Sequence, residues 1–161
     1  MIEIVIADYQ NPAHQQAILY LLDAYARDPM GGNNPLSASA RQRLIPALIA
    51  QSGALSILAF DGDMPVGLVN CFQSLSTFQA RPLLNIHDVT VMAEYRGQGV
   101  SQMMLEKVEE IAYQRGCCKL TLEVLEGNQT AKNAYRKYGF CSYELDPGLG
   151  QALFWEKKLR C

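Results

Sequence analysis

A glycine-rich stretch in the second half of the chain, Tyr95–Gln102, constrains the fold most strongly. It follows an extended apolar run, Leu83–Val91, and precedes a segment whose apolar residues recur at helical spacing, at Val100, Met104, Val108 and Ile111. The order strand, glycine turn, helix presents free backbone N–H groups and the positive end of a helix dipole. Gly97 and Gly99 let the main chain come close to a ligand, and Arg96 adds a positive charge. The stretch therefore predicts a phosphate-binding turn.

The residues around this turn exclude two common phosphate-binding motifs. A nucleotide-triphosphate loop needs Gly-Lys-Ser/Thr after its second glycine, and no lysine stands there. A dinucleotide-binding fingerprint needs a third glycine at the position that Gln102 occupies. What remains is Arg96-x-x-Gly99-x-Ser101, placed between a strand and a helix.

Composition limits the class of protein further. A chain of 161 residues suits a single domain, expected here over residues 1–161, and a formal charge of −2 gives no nucleic-acid footprint. No apolar run is long enough to span a bilayer, and the first residues lack the basic region of a signal peptide. Five cysteines without metal or disulfide spacing are expected to be reduced thiols, which favours a cytoplasmic location. No membrane or nucleic-acid partner is expected.

Periodicity and breaker residues predict a mixed α/β (α+β) chain in the order β-α-α-β-β-β-α-β-α-β-β. Helices are expected at 12–27, from Ser37 or Ser39 to about Gln51, from Val100 until Gly116 closes the helix, and at 130–137. Pro46 leaves open whether the second of these helices is short, kinked or late in starting. Seven strands are expected, at 2–7, 54–60, 66–72, 83–91, 119–125, 140–145 and 152–159.

Two motifs resemble the signatures of the GNAT superfamily of N-acetyltransferases. Arg96-x-x-Gly99-x-Ser101 is similar to the family's Gln/Arg-x-x-Gly-x-Gly/Ala pattern. Ser101 stands where the pattern has Gly or Ala, and serine is small enough to fit there. The later run Glu123-Val124, Asn128-x-x-Ala131 and Tyr135-x-x-x-Gly139-Phe140 resembles its second signature. The resemblance implies the GNAT fold, a central, mostly antiparallel twisted sheet of about seven strands with helices on both faces. It also implies a splay between the fourth and fifth strands, where the pantetheine arm lies.

The same resemblance implies acetyl-CoA as co-substrate and a set of residues that bind it. These are Val89, Val91, Arg96, Gly97, Gln98, Gly99, Val100 and Ser101 around the phosphate turn, with Asn128 and Ala131 in the second signature. No metal is expected.

For the reaction, Tyr135 is the expected acid that protonates the departing thiolate, and Glu123 the expected base that prepares the amine. Asp28 and Asn33 in the loop after the first helix, with His87 and Asp88 on the fourth strand, are the expected acceptor-binding residues. The expected acceptor is a primary amine such as an amino acid, a polyamine or a peptide N-terminus.

Several alternatives stay open at the level of sequence. Tyr135 can be a packed helix aromatic, Glu123 a paired sheet carboxylate, and His87 an ordinary strand histidine, while Asp88 or water can act as the base. The donor can be another acyl-CoA, and the acceptor a protein. The fold can also serve as a non-catalytic acyl-CoA sensor or interaction module, and a homodimer through the last strand is compatible with the pattern.

Overall fold

The computed structural model describes residues 1–159, so that Cys161, one of the five predicted thiols, lies outside the described residues. The chain divides into two compact units, the first spanning Met1–Leu122 and the second beginning at Glu123. The expectation of a single domain over residues 1–161 stays a prediction.

The first unit is built on a sheet of five strands in the order β1-β2-β3-β4-β5. The strands are β1 (Ile2–Ile6), β2 (Ala54–Asp61), β3 (Met64–Ser76), β4 (Arg81–Val91) and β5 (Leu120–Leu122). The first four pair antiparallel with their neighbours, whereas β5 runs parallel to β4. The β4–β5 ladder holds three pairs and ends at Ile86 opposite Leu122, before the last residues of β4. The mostly antiparallel sheet is therefore confirmed.

Helices cover both faces of this sheet, as alternate residues of the central strands show. Leu58 and Leu68 are fully buried in a cluster with residues of α1 (Pro12–Arg27) and α2 (Ala38–Ala50). On the opposite face, a Cβ added at Gly67 would lie 2.9 Å from the end of the Met104 side chain on α3 (Val100–Gln114). Adjacent strand residues point to opposite faces, so α1 and α2 lie on one side and α3 on the other.

Local signals explain where the helices of this unit begin. Asn11 caps α1 by accepting a hydrogen bond from Ala13 N–H, and Pro12 occupies the first helical position. Ser37 caps α2 through the N–H of Ala40, and the helix continues through Pro46 to Ala50. The predicted helix with an internal proline is thus thirteen residues long.

The second unit contains one α-helix among its described residues, α4 (Gln129–Tyr138). Asn128 caps it, and Gly139 ends it in the left-handed conformation with φ of 108°.

The prediction of about seven strands is wrong for residues 1–159, because the last two are not strands. The segments 140–145 and 152–159 are joined by a single backbone hydrogen bond outside helices and strands, from Ala152 N–H to Tyr143 O at 3.1 Å. Between them the chain forms a short 3-10 turn at Pro147–Leu149, capped by the Asp146 carboxylate. The fifth strand is also shorter than the predicted 119–125, whereas β3 (Met64–Ser76) and β4 (Arg81–Val91) are longer than the predicted 66–72 and 83–91.

Candidate functional site

The phosphate turn follows β4 directly and leads into α3. A short 3-10 helix, Ala93–Tyr95, is followed by two left-handed glycines, Gly97 with φ of 76° and Gly99 with φ of 81°. Gly99 begins α3 without any side-chain cap, so the first N–H groups of the helix have no side-chain partner there. A Cβ at either glycine would meet no heavy atom within 4 Å. The glycines are therefore required by backbone conformation and leave open space in front of the helix terminus, which fits an incoming phosphate.

Side chains hold this turn against the sheet and against the loop between α1 and α2. Arg96 donates from Nε to the carbonyl of Val91 at 3.0 Å and from Nη2 to Asp28 Oδ2 at 3.1 Å. Gln98 Nε2 donates to the carbonyl of Glu94 at 2.8 Å. The Arg96 side chain remains 55% exposed, so its guanidinium is reachable by an anion while it holds the turn in place.

The remaining predicted cofactor residues of the first unit lie on either side of the turn. Val89 and Val91 pair with Val69 and Gly67 of β3, and Val100, the first residue of α3, is buried. Ser101 is half-buried in the first turn of the helix. The structure therefore brings together the predicted residues from Val89 to Ser101 along one strand, turn and helix.

A cavity of about 360 Å³ opens between α1, α2 and the sheet. Its walls come from the two helices and the loop between them, and include Leu22, Tyr25, Leu36, Leu44 and Leu48. Asn70 and Phe72 of β3, with His87 and Asp88 of β4, complete the lining. Of the four predicted acceptor residues, His87 and Asp88 thus meet in one cavity.

A β-bulge explains how two adjacent residues of β4 reach the same cavity. Asn70 pairs with Asp88 while the next residue, Cys71, pairs with Ile86, so that His87 is the extra residue of β4. The bulge reverses the inside–outside phase of β4, and Asp88 shares a face with Asn70 instead of with Ile86. His87 contacts the ring of Phe72 edge-on, with the ring centroids 5.6 Å apart.

Asp88 is held by a directional chain of hydrogen bonds across three strands. Ser56 Oγ donates to Asn70 Oδ1 at 2.6 Å, and Asn70 Nδ2 donates to Asp88 Oδ2 at 3.0 Å. The Tyr9 hydroxyl lies 2.9 Å from Ser56 Oγ and donates to it, because the only proton of that serine points at Asn70. Burial raises the pKa of the Tyr9 phenol, which keeps it protonated as this chain requires.

The other two predicted acceptor residues, Asp28 and Asn33, do not line this cavity. The Asp28 carboxylate accepts from Met30 N–H at 2.9 Å and from Arg96, and these bonds hold its pKa below the ordinary value. Asn33 is exposed with φ of 60°, and its N–H donates to the carbonyl of Asp28. Both residues shape the loop between α1 and α2.

The predicted residues of the second unit surround α4. Asn128 Oδ1 accepts from Ala131 N–H at 3.1 Å and so caps the helix. The half-buried Tyr135 packs its ring edge-on against Phe140, with centroids 5.9 Å apart. Glu123 is exposed and follows β5 instead of lying within it. The structure thus gives Asn128 and Tyr135 local roles in α4, and their roles in cofactor binding and catalysis stay predictions.

Potential metal ligands do not cluster within residues 1–159. No group of three or more His, Cys, Asp or Glu side chains there is arranged to hold a metal ion. The four described cysteines are free, and burial raises the pKa of the Cys71 thiol to about 12. The helices of the same residues include none long and apolar enough to cross a membrane.

Sequence reasoning missed Ser56 and Asn70, although a signal was present. Each interrupts a strand whose other central residues are apolar, and both are almost completely buried, at 1% and 2% exposure. A polar side chain in the middle of a buried strand needs a partner, and the search for that partner leads to Asp88.

Comparisons with known proteins show the family of the chain. A model of the acetyltransferase (GNAT) family matches residues 18–140. The chain is 31% identical over 134 residues to thialysine N-epsilon-acetyltransferase of Mus musculus, covering 83% of this chain and 71% of the mouse protein.

Two further similarities differ in what they cover. The chain is 37% identical over 78 residues to thialysine N-epsilon-acetyltransferase of Bos taurus, covering 48% of this chain and 45% of that protein. The match therefore spans less than half of the bovine relative's length. The crystal structure of an aminoglycoside acetyltransferase from an uncultured soil metagenomic sample superposes with a TM-score of 0.80 at 16% identity, covering 99% of this chain and 97% of the other. At that identity the superposition supports the fold alone.

Proposed function

Because the chain belongs to the GNAT family of acetyltransferases, we propose that it transfers an acetyl group from acetyl-CoA to a primary amine by direct attack in a ternary complex. One observation carries the proposal: the glycine turn between β4 and α3 leaves open space in front of an uncapped helix terminus. Such a terminus binds anionic phosphate through its N–H groups and its dipole.

The turn is the proposed binding site for the pyrophosphate of acetyl-CoA. Backbone N–H groups from Gly97 to Ser101 supply donors, and the exposed Arg96 guanidinium supplies a positive charge. The main chain of Val89 and Val91 is proposed to meet the pantetheine arm and the thioester carbonyl, with Asn128 and Ala131 as further cofactor contacts. A main-chain N–H aimed at that carbonyl would stabilise the oxyanion of the tetrahedral intermediate.

Two proton transfers are required for the reaction. An alkylammonium with a pKa of about 10 must first lose a proton before its nitrogen can attack, and Glu123 is the proposed base. Attack forms the N–C bond and breaks the C–S bond, and Tyr135 is proposed to protonate the departing sulfur. The second proton lost by the nitrogen balances the one that Tyr135 gives up.

The acceptor is proposed to enter the cavity that contains His87 and Asp88. A carboxylate beside an apolar wall suits a cationic amine, and the bovine and mouse relatives are named for acetylation at the epsilon nitrogen of thialysine. Asp28 and Asn33 remain proposed contacts from the loop. As part of the same proposal we place the enzyme in the cytoplasm, since its described cysteines are free thiols.

Acetyl-CoA binding and turnover on one purified sample test the proposal. Calorimetric titration measures the affinity for acetyl-CoA, and release of free thiol is then followed across monoamines, diamines, amino acids and short peptides. Binding with turnover of an amine is the expected result. Binding without turnover of any amine would favour the acyl-CoA sensor, and failure to bind acetyl-CoA would overturn the proposal.

A further inference from the structure

The cavity presents one acidic group in an apolar surround. Asp88 is the only carboxylate that lines it, and within residues 1–159 no lysine or arginine is among the lining residues. The nearest acidic residues of α1 and its loop are already paired with arginines, Asp23 with Arg27 and Arg41, and Asp28 with Arg96. A ligand in the cavity therefore meets a single negative charge.

The chain of hydrogen bonds beneath the cavity leaves half of this carboxylate available. Asn70 occupies Oδ2, and among residues 1–159 the structure gives Oδ1 of Asp88 no hydrogen-bond partner. Ser56, Asn70 and Asp88 are cross-strand neighbours on one face, each donor aimed at the next acceptor. The two hydrogen bonds therefore fix the position of the Asp88 carboxylate on this face of the sheet.

Tyr25 lines the same cavity as Asp88. Burial and the charges of Asp88 and Asp28 raise the pKa of the Tyr25 phenol, so it stays neutral at pH 7. The remaining wall is mainly leucine and phenylalanine. An acceptor carboxylate would meet no lysine or arginine there, and a second ammonium would be buried without an anion, which is unfavourable.

Resting on the proposed function, we propose that Asp88 binds the ammonium of the acceptor, that Asn70 and Ser56 are positioning residues for Asp88, and that the acceptor is a primary amine with a single positive charge on an apolar body. The nitrogen held by Asp88 is then the one to be acetylated. Because the amide product is neutral, acetylation removes the charge that retains the acceptor and so assists product release.

Calorimetry on the full chain tests this with three six-carbon probes, n-hexylamine, 1,6-diaminohexane and 6-aminohexanoate. We expect n-hexylamine to bind about tenfold or more tightly than either of the others, because only it leaves no buried charge unpaired. Equal or tighter binding of the diamine or the amino acid would overturn the substrate class.

Variants test the positioning role. Asp88→Asn and Asn70→Leu should each raise the KM for n-hexylamine about tenfold while the KM for acetyl-CoA is unchanged. Asn85→Leu is the matched control, since Asn85 also bonds across strands, to Thr121 Oγ1 at 3.0 Å, but does not line the cavity. If Asn70→Leu does not fold, Ser56→Ala removes one donor of the same chain and should raise the same KM in the same direction. Equal effects of the Asn70 and Asn85 variants would overturn the positioning role.

Failure of the proposed function is distinguishable on the same sample. Binding of n-hexylamine without binding of acetyl-CoA would support the cavity assignment and refute the acetyltransferase proposal. Acetyl-CoA binding and turnover with a preference for diamines or amino acids would support the acetyltransferase proposal and refute the cavity assignment.

Discussion

Asp28 accepts two hydrogen bonds at once, and this makes part of the protein's stability depend on pH. The N–H of Met30 and the guanidinium of Arg96 hold the pKa of Asp28 below its ordinary value of 3.8. A lowered carboxyl pKa contributes stability that is present above the unfolded-state value and is lost as pH falls through the folded-state value. We therefore expect Asp28→Asn to lower the free energy of unfolding at pH 7 by about 0.5–1 kcal/mol, since the ion pair is solvent-accessible.

Urea unfolding at a series of pH values measures this effect. The difference between the parent protein and Asp28→Asn should shrink toward zero as the pH is lowered below 3.8, because the carboxylate becomes protonated. A difference that stays constant from pH 7 to pH 3 would show that the ion pair is not its source.

The second prediction at the scale of single residues concerns the hydroxyl of Tyr135. If it protonates the departing sulfur, Tyr135→Phe should lower kcat by about 100-fold or more and leave coenzyme A affinity nearly unchanged. The substitution keeps the ring that packs against Phe140, so the fold of α4 should be retained.

Tyr138→Phe is the matched control for this experiment. Tyr138 belongs to the same helix and stacks on the same Phe140, with ring centroids 6.1 Å apart. Steady-state thiol release should separate the two variants. Similar kcat values for both would assign Tyr135 to packing alone.

At the scale of elements, Gly99 at the junction of β4 and α3 can be compared with Gly62, which lies in the turn between β2 and β3. Gly99 and Gly62 both have positive φ, 81° and 59°, and a Cβ at either would meet no heavy atom within 4 Å. Replacing either glycine by alanine should therefore lower the free energy of unfolding by a similar amount, about 1–2 kcal/mol. Only Gly99→Ala should weaken acetyl-CoA binding, by about tenfold or more, because its Cβ would stand where the pyrophosphate is proposed to lie.

Calorimetry with acetyl-CoA on both variants, after circular dichroism has shown that each is folded, checks this expectation. Equal affinity in the two variants would place the pyrophosphate elsewhere. Loss of affinity in both would attribute the effect to backbone strain.

Elements whose signals are local were predictable from sequence, and those that depend on partners were not. Pro12 and the helical periodicity of Val100–Ile111 mark their helices without reference to the rest of the chain. The bulge at His87 could not be predicted, because the register of β4 is set by β3 and not by β4 alone. The segments 140–145 and 152–159 were predicted as a final pair of strands, but the residues of two segments do not by themselves provide a ladder of hydrogen bonds between them.

The candidate site divides in the same way. The turn from Arg96 to Ser101 was recognisable because its residues are consecutive. The cavity draws its lining from two helices, a loop and two strands, so Asp88 was found as an isolated carboxylate while Asn70 and Ser56, which hold it, were not. Such a constellation exists only after the strands have paired.

At the scale of the whole molecule, ligand binding and unfolding are linked. A ligand that binds only the native state raises the free energy of unfolding by about 2.7 kcal/mol at 100 times its Kd. Residues 1–161 are predicted to form a single domain, which would unfold in one cooperative transition. Acetyl-CoA at that concentration is therefore expected to move the entire urea transition to higher concentration without changing its slope.

Coenzyme A, which lacks the acetyl group, tests whether the shift comes from the proposed pyrophosphate-binding turn. The turn is proposed to hold the pyrophosphate, which both compounds share, so coenzyme A should shift the transition by nearly the same amount. Circular dichroism in urea measures the effect. Gly99→Ala, which is expected to bind about tenfold more weakly, should show a clearly smaller shift with both compounds, whereas Gly62→Ala should show the parent's shift with both. If acetyl-CoA alone shifts the transition, the main contact is with the acetyl group and not with the pyrophosphate. A transition that splits into two steps would contradict the single domain.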